Sequence, residues 1–201
     1  MASASPRRRE LLAAAGIVCE VCPADADEAL LPGEAPAVAV VRLARLKALA
    51  VSPRFPDRVV LGADTLVVVD DEALGKPRDL AEARAMLQRL AGRPHEVLTG
   101  VCLYRAIPAA EDAWYTRTVV RFHALDAAAI EEYLCRVHVL DKAGAYAIQE
   151  HGERIVAGID GPFSNVVGLP VEEVTARLRQ FFPKDKPQFF ARTRARGTGG
   201  S

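Results

Sequence analysis

The run VVLGADTLVVV, inside residues 58–70, constrains this chain most. Near-continuous aliphatic and β-branched residues mark strands buried on both faces. The run reads as one long strand or two joined ones, interrupted at Gly62. Such a strand needs a core around it. With 201 residues, 50% hydrophobic and 26% charged, the chain can build one substantial core. Asp64 is the anomaly in the run. A carboxylate there is costly to bury unless it is paired, bound to metal or functionally tuned. The plain alternative is that it closes a turn beside Gly62.

Charge narrows the classes of partner. Lys and Arg number 26 and Asp and Glu number 26, so the formal net charge is zero. No global basic field exists to hold nucleic acid or an anionic membrane, and any phosphate binding must be local. No apolar stretch approaches the roughly 20 residues of a membrane helix, and the arginine-rich start lacks the apolar centre of a signal peptide. A cytoplasmic protein without nucleic-acid or membrane partners is expected. Cys19 and Cys22 have C-x-x-C spacing, but no second close pair and no histidine pair accompanies them. They read as packed thiols in a reducing compartment rather than as zinc ligands.

The remainder alternates between helical and strand patterns. Ser5 and Pro6 open a helix that Gly16 closes. A strand is expected over 17–21 and a second helix over 36–51, where Val40, Leu43, Ala44 and Val51 form a stripe. Asp79 with Glu82 starts a helix ending at Gly92, hairpin arms span 97–104 and 114–125, and Asp126 caps a helix to about Val137. Short strands around Ile148 and Ile155, a loop over 158–168 and a helix over 170–182 follow. Residues 1–183 are expected to form one domain, and the basic, then glycine-rich 184–201 a disordered tail.

Three further features suggest chemistry. Arg7, Arg8 and Arg9 occupy the first turn of the opening helix, where the macrodipole disfavours cations. With the Ser3 and Ser5 hydroxyls they form either a phosphate cradle or a solvated basic turn. Lys47 lies on the apolar stripe of the second helix, where it snorkels to solvent or meets a buried anion. Lys76, between a glycine turn and Pro77, is by itself a solvated loop charge. Asn165 is a polar ligand contact or a loop-stabilising amide.

In chain order these features read S-x-S-P-R-R, VRLARLKA, LGADT, GKPRD, DKAGAYAIQ and VVGLP, from Ser3 to about Leu178. That series resembles the Maf family. The resemblance implies an α/β fold like that of inosine triphosphate pyrophosphatase: a long bent mixed sheet flanked by helices, with two lobes around a cleft. It implies a homodimeric nucleoside triphosphate pyrophosphatase that clears the nucleotide pool and depends on a divalent cation, Mg²⁺ or Mn²⁺. Carried over by residue, it makes Asp64 the catalytic carboxylate and metal ligand, with Glu28 beside the metal. Ser3, Ser5, Arg8, Lys47 and Lys76 surround the triphosphate. Arg7, Thr65 and Gln149 match the branch acting on dTTP and UTP. The branch acting on 7-methyl-GTP has an aromatic residue, a glutamine and a glutamate at those positions. A non-enzymatic role, nucleotide binding in control of the division septum, is the other function associated with the family. Two departures stand out. Family members carry an apolar strand before the first motif, where here only Met1 and Ala2 precede Ser3, so either the start lies too late or a core strand is missing; and the usual glutamate before the lysine is Leu46.

Overall fold

In the computed structural model, which describes residues 1–181, the apolar run folds as a single strand, β1 (Val60–Val69), unbroken at Gly62. Asp70 and Asp71, both with positive φ, turn it back into β2 (Glu72–Leu74). A long hairpin of β3 (Pro94–Arg105) and β4 (Ala110–Phe122) follows, and β5 (Val156–Asp160) completes a sheet of order β2-β1-β3-β4-β5. The helix-flanked α/β sheet matches expectation. Every pairing described is antiparallel, however, where a mixed sheet was expected. Two of the four pairings, β1–β2 and β3–β4, are hairpins, whose short connections allow only antiparallel neighbours.

Gly62 has a different purpose from interruption. The helix α2 (Pro36–Val51) lies across β1 and β3, and a Cβ on Gly62 would stand 2.1 Å from the Ala44 carbonyl oxygen. On β3, a Cβ at Gly100 would stand 2.1 Å from the Val40 carbonyl. The two glycines admit the helix backbone itself, and the buried Ala44 and Ala48 extend the close contact. On this face Val60, Leu66 and Val68 pack against α2. The alternate residues of β1 face the other way. Leu61 and Ala63 meet α1 (Pro6–Ala14) and α6 (Val171–Phe181), while Val67 and Val69 meet α3 (Leu80–Leu90) and α4 (Ala127–Arg136).

Side-chain caps mark the starts of α3 and α4. Asp79 Oδ1 accepts from the Glu82 N–H at 2.8 Å, and Asp126 Oδ1 from the Ala129 N–H at 2.8 Å. Ser5 takes the N-cap position of α1 without a side-chain cap bond. The strand expected over 17–21 is absent apart from an isolated bridge at Ile17. This segment instead bonds the start of the chain: Cys22 N–H donates to Met1 O at 3.0 Å, and Ala2 N–H donates to Leu61 O of β1 at 2.7 Å. Ile148 lies in a turn rather than a strand, because Gly144 and Ala145 both adopt positive φ just before it. Ile155 precedes β5, and the expected 158–168 loop contains α5 (Phe163–Val167). The expected tail over 184–201 lies outside the described residues.

Candidate active site

The edge of β1 decides where a ligand can enter. β2 pairs only with Val67–Val69, and Ala2 pairs at Leu61. Between them the edge carries no partner strand, and a cleft of about 570 Å³ opens over it. Side chains from both faces of β1 reach this cleft around the edge, so Asp64 and Thr65, neighbours in sequence, both line it. Ser3, Ser5, Arg7 and Arg8 enter from the start of α1, Glu28 from the connection to α2, and Lys47 from α2 itself. Lys76 comes from the turn after β2, and Gln149 from the segment before β5. Every residue that the family resemblance assigned to the site therefore borders one cavity, whereas Arg9 and Asn165 do not.

Lys47 does not snorkel. It is 7% exposed, and its ammonium lies 2.7 Å from Asp64 Oδ1 and 2.9 Å from Glu28 Oε2. The close seating of α2 on Gly62 brings it within reach of Asp64, two residues further along the same face. Asp64 is 8% exposed and thus meets its counter-charge inside the protein, as a buried carboxylate must. The two carboxylates leave oxygens for a hard cation. No group of three or more His, Cys, Asp or Glu gathers among the described residues. Two carboxylates are the protein share that Mg²⁺ or Mn²⁺ takes when phosphate and water complete its shell.

Arg8 is more constrained than a phosphate ligand need be. Its Nε donates to Gly168 O at 2.8 Å and its Nη1 to Ser3 Oγ at 3.1 Å and Ala63 O at 2.9 Å. Its Nη2 donates to Thr65 Oγ1 at 3.0 Å. The guanidinium thereby ties α1, the open edge of β1 and the α5–α6 junction together. Burial lowers its pKa, with the charge of Asp64 opposing the shift. Thr65 shares its hydroxyl with Thr99 at 2.9 Å, directly across on β3. Arg7 and Lys76, by contrast, have no ion-pair partner within 4 Å among the described residues.

The segment over 141–150 adds residues that sequence reasoning missed. Tyr146 lines the cleft, and its hydroxyl meets His95 Nε2 at 2.9 Å; both stack edge-on with Phe122. Burial drives the His95 pKa down to about 4. Lys142 is buried, held by Asp141 and Glu150. The motif DKAGAYAIQ was the available signal, but spacing alone could not say which of its residues face the cavity. Asn165 resolves to the structural alternative: its Nδ2 donates to Val97 O and Thr118 Oγ1, each at 3.0 Å.

A second groove, of about 550 Å³, lies beside the start of the chain. Its walls are mainly apolar, including Leu12, Phe55, Leu61 and Leu178. Its Glu20 and Arg58 pair with each other on exposed side chains, so nothing converges inward. The charged and polar candidate residues gather in the first cleft.

Comparison with known proteins agrees with the sequence resemblance. The family described as Maf-like protein matches residues 1–181. A dTTP/UTP pyrophosphatase of Anaeromyxobacter dehalogenans (strain 2CP-C) is 52% identical over 183 residues, covering 90% of this chain and 92% of the relative. A dTTP/UTP pyrophosphatase of Symbiobacterium thermophilum is 49% identical over 181 residues, with the same coverage. One of Myxococcus xanthus is 51% identical over 180 residues, covering 90% of each chain.

Proposed function

Since the chain belongs to the Maf-like protein family, we propose that it hydrolyses the α–β phosphoanhydride of dTTP, UTP and related pyrimidine nucleotides. The products are the monophosphate and pyrophosphate, and the role is to clear the nucleotide pool. The observation that carries this reading is the charge arrangement of the cleft. A buried Lys47 joins Asp64 and Glu28, while Arg7 and Lys76 line the same cavity unpaired.

Hydrolysis at the α-phosphorus needs a carboxylate for the attacking water and cations for the departing pyrophosphate. Asp64 orients the water and accepts its proton. Arg7 and Lys76 hold the phosphate oxygens, aided by the Ser3 and Ser5 hydroxyls and the remaining N–H of Arg8. Lys47 fixes the carboxylates and presents positive charge at the cleft floor. Asp64 and Glu28 would hold a divalent cation, Mg²⁺ or Mn²⁺, which would supply further charge stabilisation to the phosphoryl oxygens. Gln149 is exposed within the cleft and offers both a donor and an acceptor, matching the O=C–N–H edge of thymine or uracil. Thr65 supports this choice indirectly, since its hydroxyl is engaged by Arg8 and Thr99. We place the enzyme in the cytoplasm as a homodimer acting on free nucleotides; equal numbers of basic and acidic residues accord with small-molecule rather than polymer substrates.

The test is pyrophosphate release from a panel of dTTP, UTP, dCTP, GTP and 7-methyl-GTP with Mg²⁺, on the native chain and on Asp64→Asn. Fast turnover of dTTP and UTP, abolished in the variant, is expected. Tight binding without pyrophosphate release, or preference for 7-methyl-GTP, overturns the reading.

A further inference from the structure

Gln149 presents a side chain to the cleft from a short backbone stretch with little packing of its own. It is exposed, as is Glu150 after it. Its placement therefore depends on what holds the backbone on either side. On the near side Tyr133 grips Ala147: its hydroxyl donates to Ala147 O at 3.2 Å and accepts from the Ala147 N–H at 3.1 Å. On the far side the anchor is Lys142. Its ammonium lies 3.3 Å from Glu150 Oε1 and 2.9 Å from Asp141 Oδ1, and it also donates to the His138 carbonyl. Two of the three N–H donors of the ammonium are thus taken by Asp141 and the His138 carbonyl, and Glu150 pairs with it by charge. These oxygens hold Lys142 in place, although it lines the cavity and is only 5% exposed.

The turn between these anchors does not hold its shape unaided. Gly144 and Ala145 both have positive φ, a region in which alanine is strained. Gly144 N–H donates to Gly75 O at 3.0 Å, which ties the turn to the residue before Lys76. Lys142 therefore closes a loop that carries Gln149 at one end and abuts the Lys76 turn in the middle.

We propose that Lys142 is a positioning residue for base selection, acting through Glu150 to set the approach of Gln149 to the nucleobase. This rests on the reading of Gln149 as the base contact. Without the staple the Gln149 backbone keeps the Tyr133 hold on Ala147 and the Glu150 N–H bond to Ala147 O, but the Glu150 side chain no longer fixes its far end, and the amide samples orientations in which its donor and acceptor no longer register with the pyrimidine edge. The asymmetry matters: a general loss of folding lowers turnover of every triphosphate alike, whereas loss of registration erodes discrimination.

Steady-state kinetics on dTTP, UTP and dCTP test this with Lys142→Met, Glu150→Ala, Glu150→Gln and Gln149→Ala. Lys142→Met and Glu150→Ala are expected to raise KM for dTTP and UTP about tenfold, as loss of one partly buried charge contact implies, with kcat within about threefold. Both should also reduce the preference for dTTP over dCTP, and Glu150→Gln, which still accepts from Lys142, should restore most of it. Should Lys142→Met fail to fold, Glu150→Ala carries the test on a side chain that is 45% exposed. An equal fall in kcat/KM for all three nucleotides, or an unchanged ratio of dTTP to dCTP, overturns the proposal. The Gln149→Ala arm separates the two levels. If it leaves the ranking untouched, the base contact itself is wrong; if it flattens the ranking while Lys142→Met and Glu150→Ala do not, only the positioning role fails.

Discussion

Lys47 shows how much a single side chain depends on its surroundings. Its helical position placed it on an apolar stripe, where snorkelling to solvent was the favoured destination and a buried anion the alternative. The structure supplies the anion, Asp64, at 2.7 Å, with Glu28 on the other side. In Asp64→Asn the lysine keeps Glu28, so the fold should persist while kcat falls on the order of 10²–10⁴ if Asp64 takes the water proton. Thermal melts beside single-turnover assays would separate the two effects. Lys76→Met removes an unpaired cation and should cost about 10–100-fold in kcat/KM with little change in Tm. His95 offers a prediction of another kind. Its pKa is depressed by burial from 6.5 to about 4, so the folded state binds fewer protons than the unfolded one between those values. The stability it contributes is complete above pH 6.5 and is lost as pH falls through about 4, a difference of about 3 kcal/mol. Denaturant titrations of the native chain and His95→Gln from pH 7 to 4 check this; parallel curves would contradict it.

At the level of elements, capping chemistry was legible because it is local. Asp79 and Asp126 each bond an N–H three residues ahead, and both helices begin where those residues stand. Strands were less legible where their partners decide. Residues 17–21 have the composition of a strand but only bridge the chain start, and Ile148 is diverted by two positive-φ residues upstream. Gly62 was visible but open to a mistaken purpose, because the helix that presses on it is distant in sequence. Gly62→Ala or Gly100→Ala would drive a methyl into the α2 backbone. Each should destabilise by about 3 kcal/mol or more and lower activity as well, since α2 carries Lys47. Val38→Ala, on the exposed side of α2, should stay within about 0.5 kcal/mol in the same unfolding assay.

The whole molecule assembles its cleft from the chain start, α2, β1, the turn after β2, the 141–150 segment and the α5–α6 junction. A triphosphate lodged there bridges all of these, so it should resist global unfolding as well as occupy a site. A non-hydrolysable α,β-methylene analogue of dTTP at 100 times its Kd should add about 2.7 kcal/mol to the unfolding free energy with Mg²⁺ present. No shift in the denaturant midpoint would count against the cleft as the nucleotide site. The sequence by itself determined the strand that must be buried, the charges that have no ordinary reason to be near it, and the ordered motifs of the Maf-like family. Those follow from composition, spacing and short-range capping, which act along the chain. Only the tertiary structure decided that Gly62 and Gly100 seat α2, that Arg8 clamps three elements, and that Lys142 staples the segment bearing Gln149. Each is a contact between residues far apart in sequence or hidden within a turn, and its energy exists only once the chain has closed on itself.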